Sequence, residues 1–234
     1  MVFLKVVELA SWLHLLESEL VNAYLLHADG AYALVDTGIA GSEGPILDAL
    51  QSIGGRPEDL SHILVTHYHD DHRGSAAALA AATGAKVVAH ALDAPVIAGE
   101  REQPPPNLTE EERPFADAVM PRVPKAPPCA VGLAVKDGDA AGPAGVFAFA
   151  LPGHTPGSVA FHVPERRALF VGDVVASVGG RAILGPFNLD RAQAIASFRR
   201  VATLDLVVLG VGHGAPFLSD ATKLVAAAAA HLRE

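Results

Sequence analysis

The stretch that most constrains this chain is Thr66-His67-Tyr68-His69-Asp70-Asp71-His72, set between the apolar run His62-Ile63-Leu64-Val65 and an alanine-rich segment that begins at Ser75. Such an order reads as strand, sharp loop, then helix. Side chains alternate along an extended backbone, so His67, His69 and Asp71 would face one way while His72 enters the helix beside them. Imidazoles and carboxylates crowded at a strand end are good ligands for zinc, manganese or iron, and a set without thiolate points to a catalytic site with open positions. The plainer alternative is a polar loop whose histidines merely lie close together.

Three later stretches each put a lone His or Asp after an apolar run and beside glycine. They are Ala150-Leu151-Pro152-Gly153-His154-Thr155-Pro156-Gly157, Leu169-Phe170-Val171-Gly172-Asp173, and Val207-Val208-Leu209-Gly210-Val211-Gly212-His213-Gly214. Glycine tolerates backbone angles and close approaches that other residues resist, so these read as strand-end loops bent toward one point. Singly, each has a simpler reading: a turn histidine, or for Asp173 a helix cap. Taken in order with the first motif, they make the chain resemble the metallo-β-lactamase superfamily from about residue 20 to residue 218, with every motif position filled.

Composition narrows the partners. Of 234 residues, 50% are hydrophobic and 18% charged, which predicts an ordered chain with a sizeable core, read as one domain spanning 1–234. Net charge is −9, and no basic run exceeds the pairs Arg166-Arg167 and Arg199-Arg200, so the electrostatic footprint of nucleic-acid binding is missing. The amino terminus, Met1 to Glu8, has no basic leader or cleavage site and no stretch long enough to span a membrane. With Cys129 as the one cysteine, read as a small buried hydrophobe, no internal disulfide can form and a cytoplasmic location is expected.

Periodicity predicts a first strand at residues 2–7, a hairpin of Val21 to His27 with Tyr32 to Val35 closed around Asp29-Gly30, and a helix over 43–53 ending at Gly54-Gly55. Strands follow at 62–65, 86–90, 131–136, 145–151, 158–162, 168–171 and 206–209. Helices are expected over 75–82, over 191–203 with Asp190 as cap, and from Ser219-Asp220, whose side chains would cap it. His90 reads as structural. From Ala98 to Pro128 the pattern collapses: eight of the seventeen prolines lie between Pro104 and Pro128, among Glu110, Glu111, Glu112 and apolar Leu108, Phe115, Val119 and Met120. Long proline-rich loops are lids, binding loops or flexible insertions. Residues 99–128 are read as a lid with a short helix and one greasy face.

Periodicity by itself gives only a mixed α/β domain; the four-layer αββα sandwich is what the resemblance implies. It also implies a dinuclear site: His67, His69 and His154 on one divalent ion, Asp71, His72 and His213 on a second, Asp173 bridging, and Asp36 beneath. Zinc is the expected metal, with iron or manganese as alternatives. The implied reaction is hydrolysis of an ester, lactone or thioester of a small molecule by metal-held hydroxide, with Asp71 orienting it and shuttling its proton. True metallo-β-lactamases usually carry cysteine or serine where this chain has Asp173, and glyoxalase II adds a glutathione-binding helical domain where here only a short segment follows Pro216. A lactonase-like or glyoxalase II-like hydrolase is therefore expected over a β-lactamase. Other readings are a mononuclear-iron persulfide dioxygenase, using His67, His154 and Asp173, and a metal-stabilised binding protein without turnover.

Overall fold

The structure, a computed structural model, describes residues 3–28, 30–143 and 145–233. A first sheet runs in spatial order β1 (Lys5–Ala10), β2 (Leu13–Glu17), β3 (Asn22–Ala28), β4 (Ala31–Val35), β5 (Leu60–Leu64), β6 (Lys86–His90) and β7 (Leu133–Val135). Pairing is antiparallel from β1 to β4 and parallel from β4 to β7. Parallel neighbours need crossovers, and helices supply them. These are α1 (Glu43–Ser52), α2 (Asp70–Arg73), α3 (Ala76–Thr83), α4 (Ala94–Ile97) and α5 (Arg113–Val119). The second half contributes β8 (Phe147–Ala150), β9 (Val159–Val163), β10 (Ala168–Phe170), a hairpin of β11 (Val175–Val178) and β12 (Arg181–Leu184), then α6 (Arg191–Val201), β13 (Val208–Gly210) and α7 (Ala221–Ala229). The second sheet has the order β13-β10-β9-β8.

Alternation along the strands sorts the apolar residues into three buried layers. Leu25 of β3, Leu34 of β4 and Ile63 of β5 pack outward against Ile46 and Leu50 of α1 and Leu79 of α3. Their neighbours Tyr24, Leu26, Val35 and Leu64 point inward, onto Val159 and Phe161 of β9 and Phe170 of β10. Ala160 and Leu169, on the far face of that sheet, meet Phe198 of α6 and Val225 of α7. Two sheets sharing a middle core, each with helices outside, make the αββα sandwich expected from the resemblance. No helix among the described residues is long and apolar enough to cross a membrane.

Several local expectations shift. The first strand lies at Lys5–Ala10 rather than 2–7, and β2 and the β11–β12 hairpin were not expected. Val2, and Asp29 of the expected β3–β4 turn, lie outside the described residues. Asp190 caps α6 through an N–H from Gln193 at 2.9 Å. Asp220 does not cap α7; its carboxylate takes Lys223 at 2.7 Å instead. The extended path through the histidine motif stops at His69, and Asp71 reaches the site from the first turn of α2.

Candidate metal centre

Strand ends converge at one edge of the sandwich, as the carboxyl ends of α/β strands do at ligand sites. After β4 comes Asp36, after β5 the His67–His72 motif, after β8 His154, after β10 Asp173 and after β13 His213. The seven sequence candidates fall into two clusters, His67, His69, His154 and Asp173 in one and Asp71, His72 and His213 in the other, with the donor atoms of each within 4.8 Å of one another. His90 lies outside both; its Nδ1 accepts the Leu92 N–H at 3.3 Å.

In the first cluster His69 Nδ1 stands 3.0 Å from both His67 Nε2 and His154 Nε2. Nitrogens bound at about 2.0–2.1 Å to a tetrahedral ion would be about 3.3 Å apart, so the spacing is close to that of a ligand set. Burial, helped by His72, His69 and His154, holds His67 well below the ordinary imidazole range. Burial does the same to His69 and lowers His154. These rings are neutral, and neutral imidazole is the metal-binding form.

A tier of supporting bonds decides which nitrogen of each ring faces inward. Asp36 is buried in the left-handed region, at φ 56°, and its carboxylate accepts the Thr66 N–H and the Thr66 and His72 side-chain protons, each at 2.8 Å. Thr66 Oγ1, its proton given to Asp36, accepts from His67 Nδ1 at 3.0 Å, which leaves His67 Nε2 as a bare lone pair. His213 Nδ1 donates to the Leu20 carbonyl at 2.7 Å. Thus Nε2 of His67, His72 and His213 all point into the centre, the arrangement by which outer partners orient metal-binding histidines.

Asp173 lies between the clusters. Its Oδ1 is 3.2 Å from His72 Nε2, and its Oδ2 is 3.2 Å from His213 Nε2, 3.6 Å from His154 Nε2 and 4.0 Å from His67 Nε2. Burial raises its carboxyl, but His213 and His72 overrule that and hold it well below the usual carboxylate range. Conversely burial lowers His72 and His213, and the charge of Asp173 overrules it, holding His72 well above the ordinary range and His213 at about 9. The centre draws positive charge to those two nitrogens. His72 Nε2 and Asp173 Oδ1, though close, are not aligned as a hydrogen bond, and both are buried and unpaired. Leaving such atoms unsatisfied costs about 1–3 kcal/mol each, which a shared cation would relieve. Gly212 allows the crowding: a Cβ there would strike Asp173 Oδ1 and stand 2.7 Å from His72 Cε1. The residues present therefore fit a pair of metal ions.

His67, His72 and His154 are at most 1% exposed, whereas Asp71 and His213 retain 19% and 33% side-chain exposure, so solvent reaches the centre on their side. The proline-rich segment is tied to the rest of the chain at Phe187, Glu19 and Arg73. Glu112 Oε1 accepts the Phe187 N–H at 3.1 Å, and Phe115 stacks on Phe187 with centroids 5.5 Å apart. Arg122 pairs with Glu19, next to the Leu20 carbonyl that holds His213. Arg73 Nη1 donates to the Pro127 carbonyl at 3.0 Å. Phe187, at φ 65°, is strained for a bulky residue. Sequence reasoning named neither Phe187 nor Arg73, nor Asp93, whose Asp-Ala-Pro setting reads as an ordinary helix start.

The chain is similar to several known proteins. A hydroxyacylglutathione hydrolase of Methylococcus capsulatus is 34% identical over 188 residues, covering 76% of this chain but only 59% of that enzyme. The probable metallo-hydrolase YflN of Bacillus subtilis is 27% identical, with 93% of this chain and 91% of that protein covered. Among solved structures, a metallo-β-lactamase family protein of Thermus thermophilus superposes with a TM-score of 0.69 at 25% identity, covering 95% of this chain and 78% of that one. A subclass B3 metallo-β-lactamase of Bradyrhizobium japonicum gives 0.69 at 22% identity, over 97% and 90%, a likeness of fold alone. The profile of the Metallo-beta-lactamase superfamily matches residues 18–213, and the chain belongs to that superfamily.

Proposed function

We propose that this chain is a dinuclear metal-dependent hydrolase that cleaves an ester, lactone or thioester of a small molecule. The observation that carries the reading is Asp173, whose two oxygens lie 3.2–4.0 Å from nitrogens of both clusters, the position of a bridge. His67, His69 and His154 would hold one ion, Asp71, His72 and His213 the other. Bound divalent ions, zinc by preference, polarise a carbonyl and bring the acidity of water toward neutrality. This chain's residues do the rest. Asp71, at the solvent-open side, orients the attacking water and accepts its proton. Asp36, Thr66 and the Leu20 carbonyl fix the rings. The chain's similarity to a hydroxyacylglutathione hydrolase supports a thioester among the substrates, without carrying glutathione over.

We read residues 99–128 as a lid, supported by the stacking of Phe115 on Phe187, two residues before Leu189, whose N–H the His154 carbonyl accepts. The test of the whole reading is elemental analysis of protein expressed in balanced metals, followed by a panel of thioester, lactone, phosphodiester and β-lactam substrates. About two divalent ions per chain and turnover of a thioester or lactone are expected. One iron per chain with oxygen consumption on a persulfide would overturn it.

A further inference from the structure

Behind the first cluster lies a buried carboxylate that neither cluster uses. Asp93 stands at the start of α4, where its carbonyl accepts the Val96 and Ile97 N–H groups at 3.0 and 3.1 Å. Its side chain makes no cap bond. It turns away from its own helix: Oδ2 accepts the Tyr68 N–H at 3.2 Å and the Thr155 hydroxyl at 2.7 Å, and Oδ1 accepts the Gly157 N–H at 2.7 Å. The residue is 1% exposed, and burial pushes its carboxyl up to about 6 in spite of those three donors. Gly157 lies so close that a Cβ on it would meet the carboxylate. Forgoing a cap and burying a carboxylate both disfavour local stability, and such departures concentrate where a site needs them.

The partners say what is gained. Tyr68 is the residue between His67 and His69, and Thr155 follows His154. The next peptide is held too, where Arg73 Nε donates to the Tyr68 carbonyl at 2.7 Å. We propose that Asp93 is a positioning residue of the metal centre: its carboxylate ties the backbone between His67 and His69 to the His154 loop and so holds those three imidazoles at ligand spacing. The proposal rests on the metal-centre reading. It also predicts an asymmetry, because His72 and His213 take their support from Asp36 and Leu20 rather than from Asp93.

The experiment titrates zinc, against a chromophoric chelator, into metal-free wild type, Asp93→Ala, Asp93→Asn and Thr155→Val, with circular dichroism to check folding. In Asp93→Ala one of the two affinities falls roughly 10- to 100-fold while the other holds, the range seen when outer partners of metal ligands are removed. Asp93→Asn falls less, since its carbonyl can still serve Tyr68 and Thr155 while its amide opposes the Gly157 N–H. Thr155→Val, which loses the hydroxyl's bonds to Asp93 and Ser158 and keeps its volume, shows the same one-sided loss if Asp93→Ala does not fold. Equal loss at both sites, or two unchanged affinities beside a lowered melting temperature, would make Asp93 merely structural and overturn the proposal. Wild type that binds no divalent ion would overturn the metal reading, and this role with it, whereas tight double loading of both wild type and Asp93→Ala overturns the role alone.

Discussion

Asp173 owes its influence to position: one side chain lies within 4.0 Å of nitrogens from four histidines. On the proposed reading, removing it would withdraw a ligand from both ions, while removing a terminal histidine would withdraw one that water can partly replace. Asp173→Ala is therefore expected to lower bound metal at both positions and kcat by more than about 100-fold, beyond the usual loss of an outer partner, and by more than His72→Ala does. Asp190→Ala, which only uncaps α6, is expected to cost about 1 kcal/mol in urea unfolding and to leave kcat unchanged. Parallel measurement of metal content and turnover in the three variants decides; near-normal turnover with full metal in Asp173→Ala would remove the bridge. At this scale the candidate cluster was legible because an imidazole or carboxylate directly behind an apolar strand, with glycine beside it, announces itself in local sequence. Asp93 was not. Its local setting is that of an N-cap, and only the distant Thr155 and Gly157 reveal what its side chain does.

Among the elements, α5 and the turn that follows it leave apolar residues outward: Ala116 is buried, whereas Phe115 and Met120 are 54% and 42% exposed. An exposed aromatic stacked on Phe187, in the loop whose Leu189 N–H the His154 carbonyl accepts, is suited to contact substrate. Phe115→Ala is expected to raise KM several-fold, in line with about 0.5–1.5 kcal/mol for an aromatic pair, with metal content unchanged. Unaltered KM across the substrate panel would count against the lid. Long alternating strands such as β3, β4 and β9 were readable from sequence, as was α3, which ends on Gly84 in the left-handed region. The hairpin of β11 and β12 was missed although its signal is present: Gly179 and Gly180 both have positive φ, 57° and 74°, as a tight hairpin turn requires. Four-residue strands offer too short an alternation to draw attention to it. β2 was missed for a different reason, since Leu13-His14-Leu15-Leu16 follows β1 without a Gly, Pro, Asn or Asp to mark the turn.

For the molecule as a whole, periodicity showed most of the strands but not which sheet each joins, because pairing such as β10 with β13 connects distant parts of the chain. The layering came from the resemblance. Charge at the centre also links to overall stability. His213 has a folded pKa of about 9 against 6.5 ordinarily, so in metal-free protein it contributes stability that is full below pH 6.5 and lost as pH rises to about 9. With a third of its side chain exposed, solvent trims that effect. A bound ion displaces the same proton, so the gain in melting temperature on adding zinc to chelated protein is expected to grow between pH 6.5 and 9. A gain independent of pH in that window would contradict it. The anchoring of the His213 loop has one more consequence. Val211 exchanges hydrogen bonds with the Tyr24 hydroxyl, and Asn22 Nδ2 donates to the carbonyls of Val211 and Gly214, so the loop after β13 is seated on β3. During synthesis at about 5–20 residues per second, β3 emerges from the ribosome on the order of ten seconds before that loop exists. That loop can seat on β3 only once residues 208–214 have been made, and an ion held by His213 would be captured only after that point.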